Sequence, residues 1–96
     1  MEEDYPSEEE LEQIEKWPLN CRKDYIDLAE FVCNLWHYDD WATLTGKKVK
    51  VLRLATGGWS GNESILAALN KNFMFGQVCW QRSERGGLEI YKIPVF

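Results

Sequence analysis

Apolar side chains first recur at helical spacing near the start of the chain. Leu11, Ile14 and Trp17 form a narrow stripe, and Ser7 and Glu10 just before it have the spacing of a capping box. This pattern predicts a short helix. Because so short a helix is marginal alone, we expect it to pack through its stripe.

A second and longer apolar stripe follows. It predicts a helix that starts after Asn20 as N-cap and runs to about residue 36 or 38. Residues 41–44 then predict a turn or one short helical turn after Asp39 and Asp40. The stripe that carries the helix is spaced by three and four residues and comprises Tyr25, Leu28, Ala29, Val32, Leu35 and Trp36.

The second half of the chain has the composition of β-strands. Residues 47–55 are rich in Val and Leu and predict a central strand, and residues 73–82 and 88–93 predict two more. Residues 83–87 predict a hairpin turn, because their glycines can supply the positive φ that such turns need. Between the first two strands, residues 64–70 predict a helix.

These elements predict an α+β fold in a single domain, residues 1–96. We expect residues 1–6 to be a disordered acidic leader, residues 7–44 a helical half and residues 47–96 a β-α-β-β half. We expect a small three-stranded sheet covered by helices on one face. Its first two strands would be parallel neighbours joined by a right-handed connection.

The composition favours a protein that folds without metal or disulfide. The 96 residues include 45% hydrophobic residues and five tryptophans, enough for a core. Cys21, Cys33 and Cys79 form no CxxC pair and are expected to be free thiols in a reducing compartment. Together with His37 they have no spacing typical of zinc ligands. No segment predicts a signal peptide or a membrane span, so we expect a cytoplasmic location.

The charge is unevenly distributed along the chain. Residues 1–15 contain eight acidic groups and no basic one, whereas residues 16–96 carry a net charge of +3 within the overall −5. The acidic start is typical of a solvated, solubilising segment. The net negative charge disfavours nucleic acid as a partner, although binding to it stays possible.

One loop, residues 56–63, has a composition beyond what a connection needs. Gly57 and Gly58 let the backbone approach another group closely, and Ser60 with Glu63 forms a second capping box. Ser60 is therefore the expected N-cap, and the N–H groups that follow it would point out of the helix start.

Two hypotheses compete for this loop. In the first it is a tight strand-to-helix turn, with Trp59 as a lid on the core. In the second it is a recognition surface on which Trp59 is a contact residue, since Trp is enriched at interface hot spots. A nucleotide pocket is the third and weakest possibility, because the loop, Gly61 included, matches no phosphate-binding motif and Glu63 would repel phosphate.

The same loop carries a resemblance to a known family. The chain resembles small proteins of bacteriophages and prophages that share a TGGWSGNE core, an aromatic strand and an RGG turn. The resemblance spans about residues 48–93 and implies a viral origin, with the host cytoplasm as location, but no activity. The segments that carry it are Ala55 to Glu63, Phe73-Met74-Phe75, Cys79-Trp80 and Arg85-Gly86-Gly87.

The predicted topology would gather these segments at one edge of the sheet. If the first two strands are parallel, their carboxyl ends and the hairpin turn meet there, as in many α/β binding sites. One aromatic and basic patch would then be formed by Trp59, Asn62, Trp80, Arg82 and Arg85. The alternative is that Trp80 packs in the core and that Arg82 and Arg85 belong to a solvated hairpin. The candidate binding residues are Gly57, Gly58, Trp59, Ser60, Gly61, Asn62, Glu63, Trp80, Arg82 and Arg85.

These features predict a non-enzymatic binding protein without cofactor or metal. His37 lies close to Asp39 and Asp40 in the sequence and could be interpreted as a base with orienting acids. Closeness in sequence alone does not establish a catalytic geometry. We expect a larger host or phage protein as the partner, no membrane contact, and leave the oligomeric state open. The alternative function is an acidic nucleic-acid mimic that inhibits a host DNA-handling or defence enzyme.

Overall fold

The first helix forms where the capping box predicts it. The computed structural model describes residues 6–36, 41–56, 60–85 and 87–95. Helix α1 spans Glu8–Glu15; the Oγ atom of Ser7 accepts from the N–H of Glu10 at 3.1 Å, and the N–H of Ser7 donates to Oε1 of Glu10 at 2.9 Å. Ile14 of its stripe is fully buried. The predicted docking of this short helix is therefore confirmed.

Helix α2 spans Arg22–Leu35 and buries the predicted stripe. Its N-cap is Cys21 and not Asn20, and Cys21 makes no capping bond with its side chain. Instead, the carboxylate of Asp24 accepts from the N–H of Asn20 at 2.9 Å. Just beyond the helix, Trp36 is only 3% exposed and its indole N–H donates to the carbonyl of Ala55 at 2.9 Å.

The sheet has four strands, and the prediction of three is wrong. The strands are β1 (Ala42–Thr45), β2 (Lys50–Ala55), β3 (Trp80–Glu84) and β4 (Leu88–Ile93). They lie in the order β1-β2-β4-β3, and every neighbouring pair is antiparallel. The unexpected strand is β1, for which the sequence predicted a turn. It pairs with β2 across a short connection that contains Gly46, whose φ is +104°.

The predicted strand over residues 73–82 is the second correction. Helix α3 spans Ser60–Lys71 and helix α4 spans Phe73–Cys79, so only Trp80 and the residues after it are extended. The Oδ1 atom of Asn72 caps α4 by accepting from the N–H of Phe75 at 3.5 Å. Phe75 and Cys79 are buried and four residues apart, which is a helical spacing. The strand-like composition of residues 73–82 hid this period.

The element order is therefore ααββααββ, and the fold is α+β. The expected parallel pair does not form among the described strands, because β4 lies between β2 and β3. Since both are antiparallel to β4, β2 and β3 still run in the same direction. Their carboxyl ends consequently lie at the same end of the sheet.

The core lies between the helices and one face of the sheet. Helices α2 and α4 contact this face, and α1 packs on α3. The buried side chains on the face are Leu52, Leu54, Tyr91 and Ile93. The hydroxyl of Tyr91 donates to Oδ1 of Asn70 at 2.8 Å. No helix among the described residues is long and apolar enough to cross a bilayer.

Candidate functional site

The loop that follows β2 begins beside the turn between β3 and β4. Ala55 and Glu84 both pair with Leu88, so the ends of β2 and β3 flank the start of β4. One residue further on, the N–H of Thr56 donates to the carbonyl of Gly87 at 3.2 Å. We call this region, formed by Thr56, Arg85 and Gly87, the loop–turn end. The predicted proximity of loop and turn is therefore present, although the parallel pairing from which it was inferred is not.

Gly87 is required at the loop–turn end for two reasons. Its φ is +83°, a conformation that L side chains rarely adopt. A Cβ atom at this position would also lie 2.5 Å from Oγ1 of Thr56. The backbone of the turn can approach Thr56 only because a glycine stands there. The predicted role of glycine in this turn is confirmed at Gly87, while Gly86 lies outside the described residues.

The base of the loop is held from two sides. The indole of Trp36 reaches the carbonyl of Ala55, and the turn binds the N–H of Thr56, which is 5% exposed. Two consecutive loop-base residues are thus fixed by elements distant in sequence. Gly57, Gly58 and Trp59 lie outside the described residues, so their predicted roles stay predictions.

The start of α3 differs from its prediction. Ser60 is the first residue of the helix rather than the residue before it, and it is exposed. Gly61 and Asn62 are buried, and Asn62 is 0% exposed. Asn62 lies three residues before the buried Ile65, on the core-facing side of the helix. The prediction of Asn62 as a surface contact residue is therefore wrong, whereas Glu63 is exposed.

Trp80 and Arg82 do not share one surface. Trp80 lies opposite Tyr91, whereas Arg82 lies opposite Ile90, which points to the other face of the sheet. The register shift between them makes Gln81 an extra residue, so side chains two apart face opposite sides. The sequence has no signal that shows this bulge, and the predicted single patch is divided by it.

Each of these two side chains has a partner of its own. Trp80 is 47% exposed and its indole N–H donates to Oε1 of Glu89 at 3.1 Å. The prediction that Trp80 packs in the core is therefore wrong as well. Arg82 donates through Nε to Oε2 of Glu84 at 2.7 Å. Arg85 is exposed at the loop–turn end.

Two polar side chains with structural roles escaped the sequence analysis. The Nδ2 atom of Asn72 donates to the carbonyls of Ile14 and Trp17, at 3.0 and 3.2 Å, so this residue closes α1 and caps α4. Arg22 donates to the carbonyls of Lys48 and Pro94, at 2.8 Å to the latter. For Asn72 the sequence does carry a signal, because an Asn three residues before an apolar residue such as Phe75 is typical of an N-cap. The sequence carries no comparable signal for Arg22.

Two of the three cysteines, Cys33 and Cys79, are poorly suited to nucleophilic chemistry. Burial raises the pKa of Cys33 to about 11 and that of Cys79 to about 12, so both are protonated near neutral pH. Cys21 is exposed. Within the described ranges, no group of three or more His, Cys, Asp or Glu side chains could hold a metal ion. His37 falls outside those ranges.

A groove lies between α1 and α2, away from the loop–turn end. Its volume is about 420 Å³, and one wall includes the ring of Trp17, which packs on Phe31 with a centroid distance of 5.2 Å. The lining residues are Gln13, Lys16, Trp17, Pro18, Asp24 and Asp27. The groove combines two carboxylates with a lysine, and no histidine or cysteine lines it.

Comparison with known proteins gives no independent indication of function: no family model, no curated protein and no solved structure matches the chain.

Proposed function

We propose that the protein is a small non-enzymatic binding protein that contacts a larger protein through the loop–turn end. The observation that carries this proposal is the hydrogen bond from Thr56 to Gly87, which holds the first residue of the glycine-rich loop beside the turn that contains Arg85. A protein of bacteriophage origin, as the TGGWSGNE resemblance implies, would have a host or phage protein as its partner.

The physical basis of the proposal is preorganisation. A loop whose base is held by Trp36 and by Gly87 loses less conformational entropy on binding than a free loop of equal length. Trp59 in that loop and the exposed Arg85 are of the two residue types most enriched at binding hot spots. We therefore place the energetic centre of the contact on these two side chains.

The proposal is tested by capture from host lysate on the immobilised protein, with the retained proteins identified by mass spectrometry. Trp59→Ala and Arg85→Ala should each lose the specific partner. The matched controls Trp80→Ala and Lys71→Ala also remove an exposed indole and an exposed cation, and they should retain it. Equal retention by all four folded variants would refute the loop–turn end as the contact surface.

The alternative, an acidic nucleic-acid mimic, finds less support in α1. Glu10 is engaged in the capping box, Glu12 binds Lys16 at 2.7 Å, and Glu15 lies 3.8 Å from Lys71. Removing residues before Lys16 would not test it cleanly, because the buried Ile14 would be lost as well. The pair of substitutions Glu8→Gln and Glu9→Gln removes charge at exposed positions, and loss of capture in that variant alone would favour the mimic.

A further inference from the structure

The sheet presents a basic face on the side away from α2 and α4. In register, Thr43, Arg53, Ile90 and Arg82 form one row across all four strands. Thr45, Val51 and Lys92 form the next row on the same face. We call these seven residues the outer face. Its threonines and its three cations are exposed, so no described helix covers it.

Among the described residues, the positive charge of the outer face is balanced only in part. Neighbouring strands lie about 4.8 Å apart, which puts the backbones of Arg53 and Arg82 roughly 10 Å from each other across β4. Lys92 lies in the adjacent row. The carboxylate that accompanies them in register is Glu84, which binds Arg82 at 2.7 Å. Lys47 and Lys48 add exposed charge at the β1–β2 turn.

The overall charge of −5 conceals a separation of charge between two parts of the molecule. Residues 6–36, which form α1, α2 and their connection, carry eight acidic and three basic groups. The strands with their turns, residues 41–56 and the described part of 80–95, carry seven basic and two acidic groups. The net charges are thus −5 and +5. A local field of this kind, rather than the total charge, governs attraction of a charged ligand.

From this placement we infer that the outer face binds the phosphate backbone of nucleic acid without reading its sequence. Phosphates accept from Arg and Lys and from hydroxyl groups, which are the polar groups that this face presents. Its seven residues include no aromatic ring on which a base could stack. The contacts available are therefore to the backbone, and the affinity depends on salt through counterion release.

An acidic protein is a poorer match to the same surface. Specific protein interfaces have an apolar centre that becomes desolvated on binding. On the outer face Ile90 is already 7% exposed and Val51 is half-buried, so little apolar surface is left to cover. This inference concerns a surface other than the loop–turn end and does not depend on the protein partner proposed above.

The test is fluorescence anisotropy with a labelled 20-nucleotide oligo-dT and a labelled 20-base-pair duplex, at low and at physiological salt. We expect binding at low salt that weakens as salt rises. The double variant Arg53→Gln, Lys92→Gln should bind at least about tenfold more weakly. Its slope of log affinity against log salt should be shallower by about 0.7–0.9 for each phosphate that it no longer neutralises. Glu84→Gln should bind more tightly, because it releases Arg82.

Two controls keep this test separate from that of the loop–turn end. Lys23→Gln removes an exposed cation of α2, and Arg85→Gln removes one from the turn. Each of these single substitutions should change the affinity for either probe by less than twofold. Melting curves verify that each variant folds. The inference is overturned if neither probe binds at low salt, if the Arg53 and Lys92 double variant binds like the wild type, or if poly-glutamate binds as tightly as either probe.

Discussion

The indole N–H of Trp36 and the carbonyl of Ala55 meet at 2.9 Å, and this bond joins the end of α2 to the end of β2. The next residue, Thr56, is bound by the β3–β4 turn. The base of the glycine-rich loop is therefore part of the folded core rather than a free connection. That arrangement, the packing around it and the surface it supports can each be tested.

Gly87→Ala should destabilise the protein by about 1–3 kcal/mol, because the residue would have to keep a left-handed φ while its Cβ atom displaces Thr56. Gly76 is the matched control. It lies inside α4, and a Cβ atom added there would meet no atom within 4 Å. Gly76→Ala should therefore stabilise the folded protein by about 0.5–1 kcal/mol. Urea unfolding measures both changes, and a neutral Gly87→Ala would contradict the close approach of turn and loop.

Asn72→Ala should cost about 2–3 kcal/mol, because it leaves the carbonyls of Ile14 and Trp17 and the N–H of Phe75 without this partner. Asn72→Asp separates the two roles: it keeps an acceptor for α4 but loses the donor toward α1. It should therefore also be destabilising. Asn34→Ala, at an exposed position of α2, should lie within about 0.5 kcal/mol of wild type. Equal melting temperatures for the Asn72 and Asn34 variants would refute this account of the α1–α4 junction.

The three thiols should differ in reactivity. Cys21 is exposed and should react first with a thiol reagent at about pH 7.5. At this pH the two buried thiols are still protonated, and a protonated thiol is a poor nucleophile. Cys33 and Cys79, whose pKa values burial raises to about 11 and about 12, should react slowly until the chain is unfolded. Mass spectrometry of the labelled protein assigns each site. Rapid labelling of Cys79 in the folded state would contradict its burial.

Stability should fall as the solution becomes alkaline. Unfolded cysteines lose their protons above about pH 8.5, whereas Cys33 and Cys79 keep theirs until about pH 11 and 12 in the folded state. Burial also raises the pKa of Tyr91. Between the cysteine pKa of the unfolded chain and the higher values of the folded state, the unfolded state binds fewer protons than the folded state. The free energy of unfolding therefore decreases as the pH rises through this range. Urea midpoints at about pH 7.5 and about pH 10 measure the decrease, and Cys79→Ala should make it shallower.

The sequence predicted those features that depend on local chemistry. The capping box at Ser7 and the apolar stripe of α2 were sufficient to find two helices, and the glycine content of residues 83–87 was sufficient to find a turn. The features that depend on pairing between distant segments were missed. β1 is too short and polar to stand out without β2. Residues 73–79 have the apolar and aromatic composition of a strand, and the cap from Asn72 is the local feature that marks them as a helix.

The same distinction applies to the candidate site. The approach of Thr56 to the β3–β4 turn requires that β2 and β3 run in the same direction and lie near each other in the sheet. Both conditions hold with β4 between them, so the approach was predicted despite the wrong pairing. The place of Trp80 and Arg82 depends on a single bulged residue, Gln81, which no pattern announces. The burial of Asn62 depends on where α3 begins, and element boundaries are the least certain part of a sequence-based prediction.

The most direct measurement of the central claim is site-specific photo-crosslinking in host lysate. A photoreactive amino acid is placed at the exposed Ser83, two residues before Arg85, so that both proposed contact side chains are kept, and in a matched protein at Lys71, which ends α3. We expect one dominant crosslinked protein from position 83 that is absent from position 71 and is lost when Trp59→Ala is added. Crosslinking of the same protein with equal yield from both positions, or from position 71 alone, would contradict it.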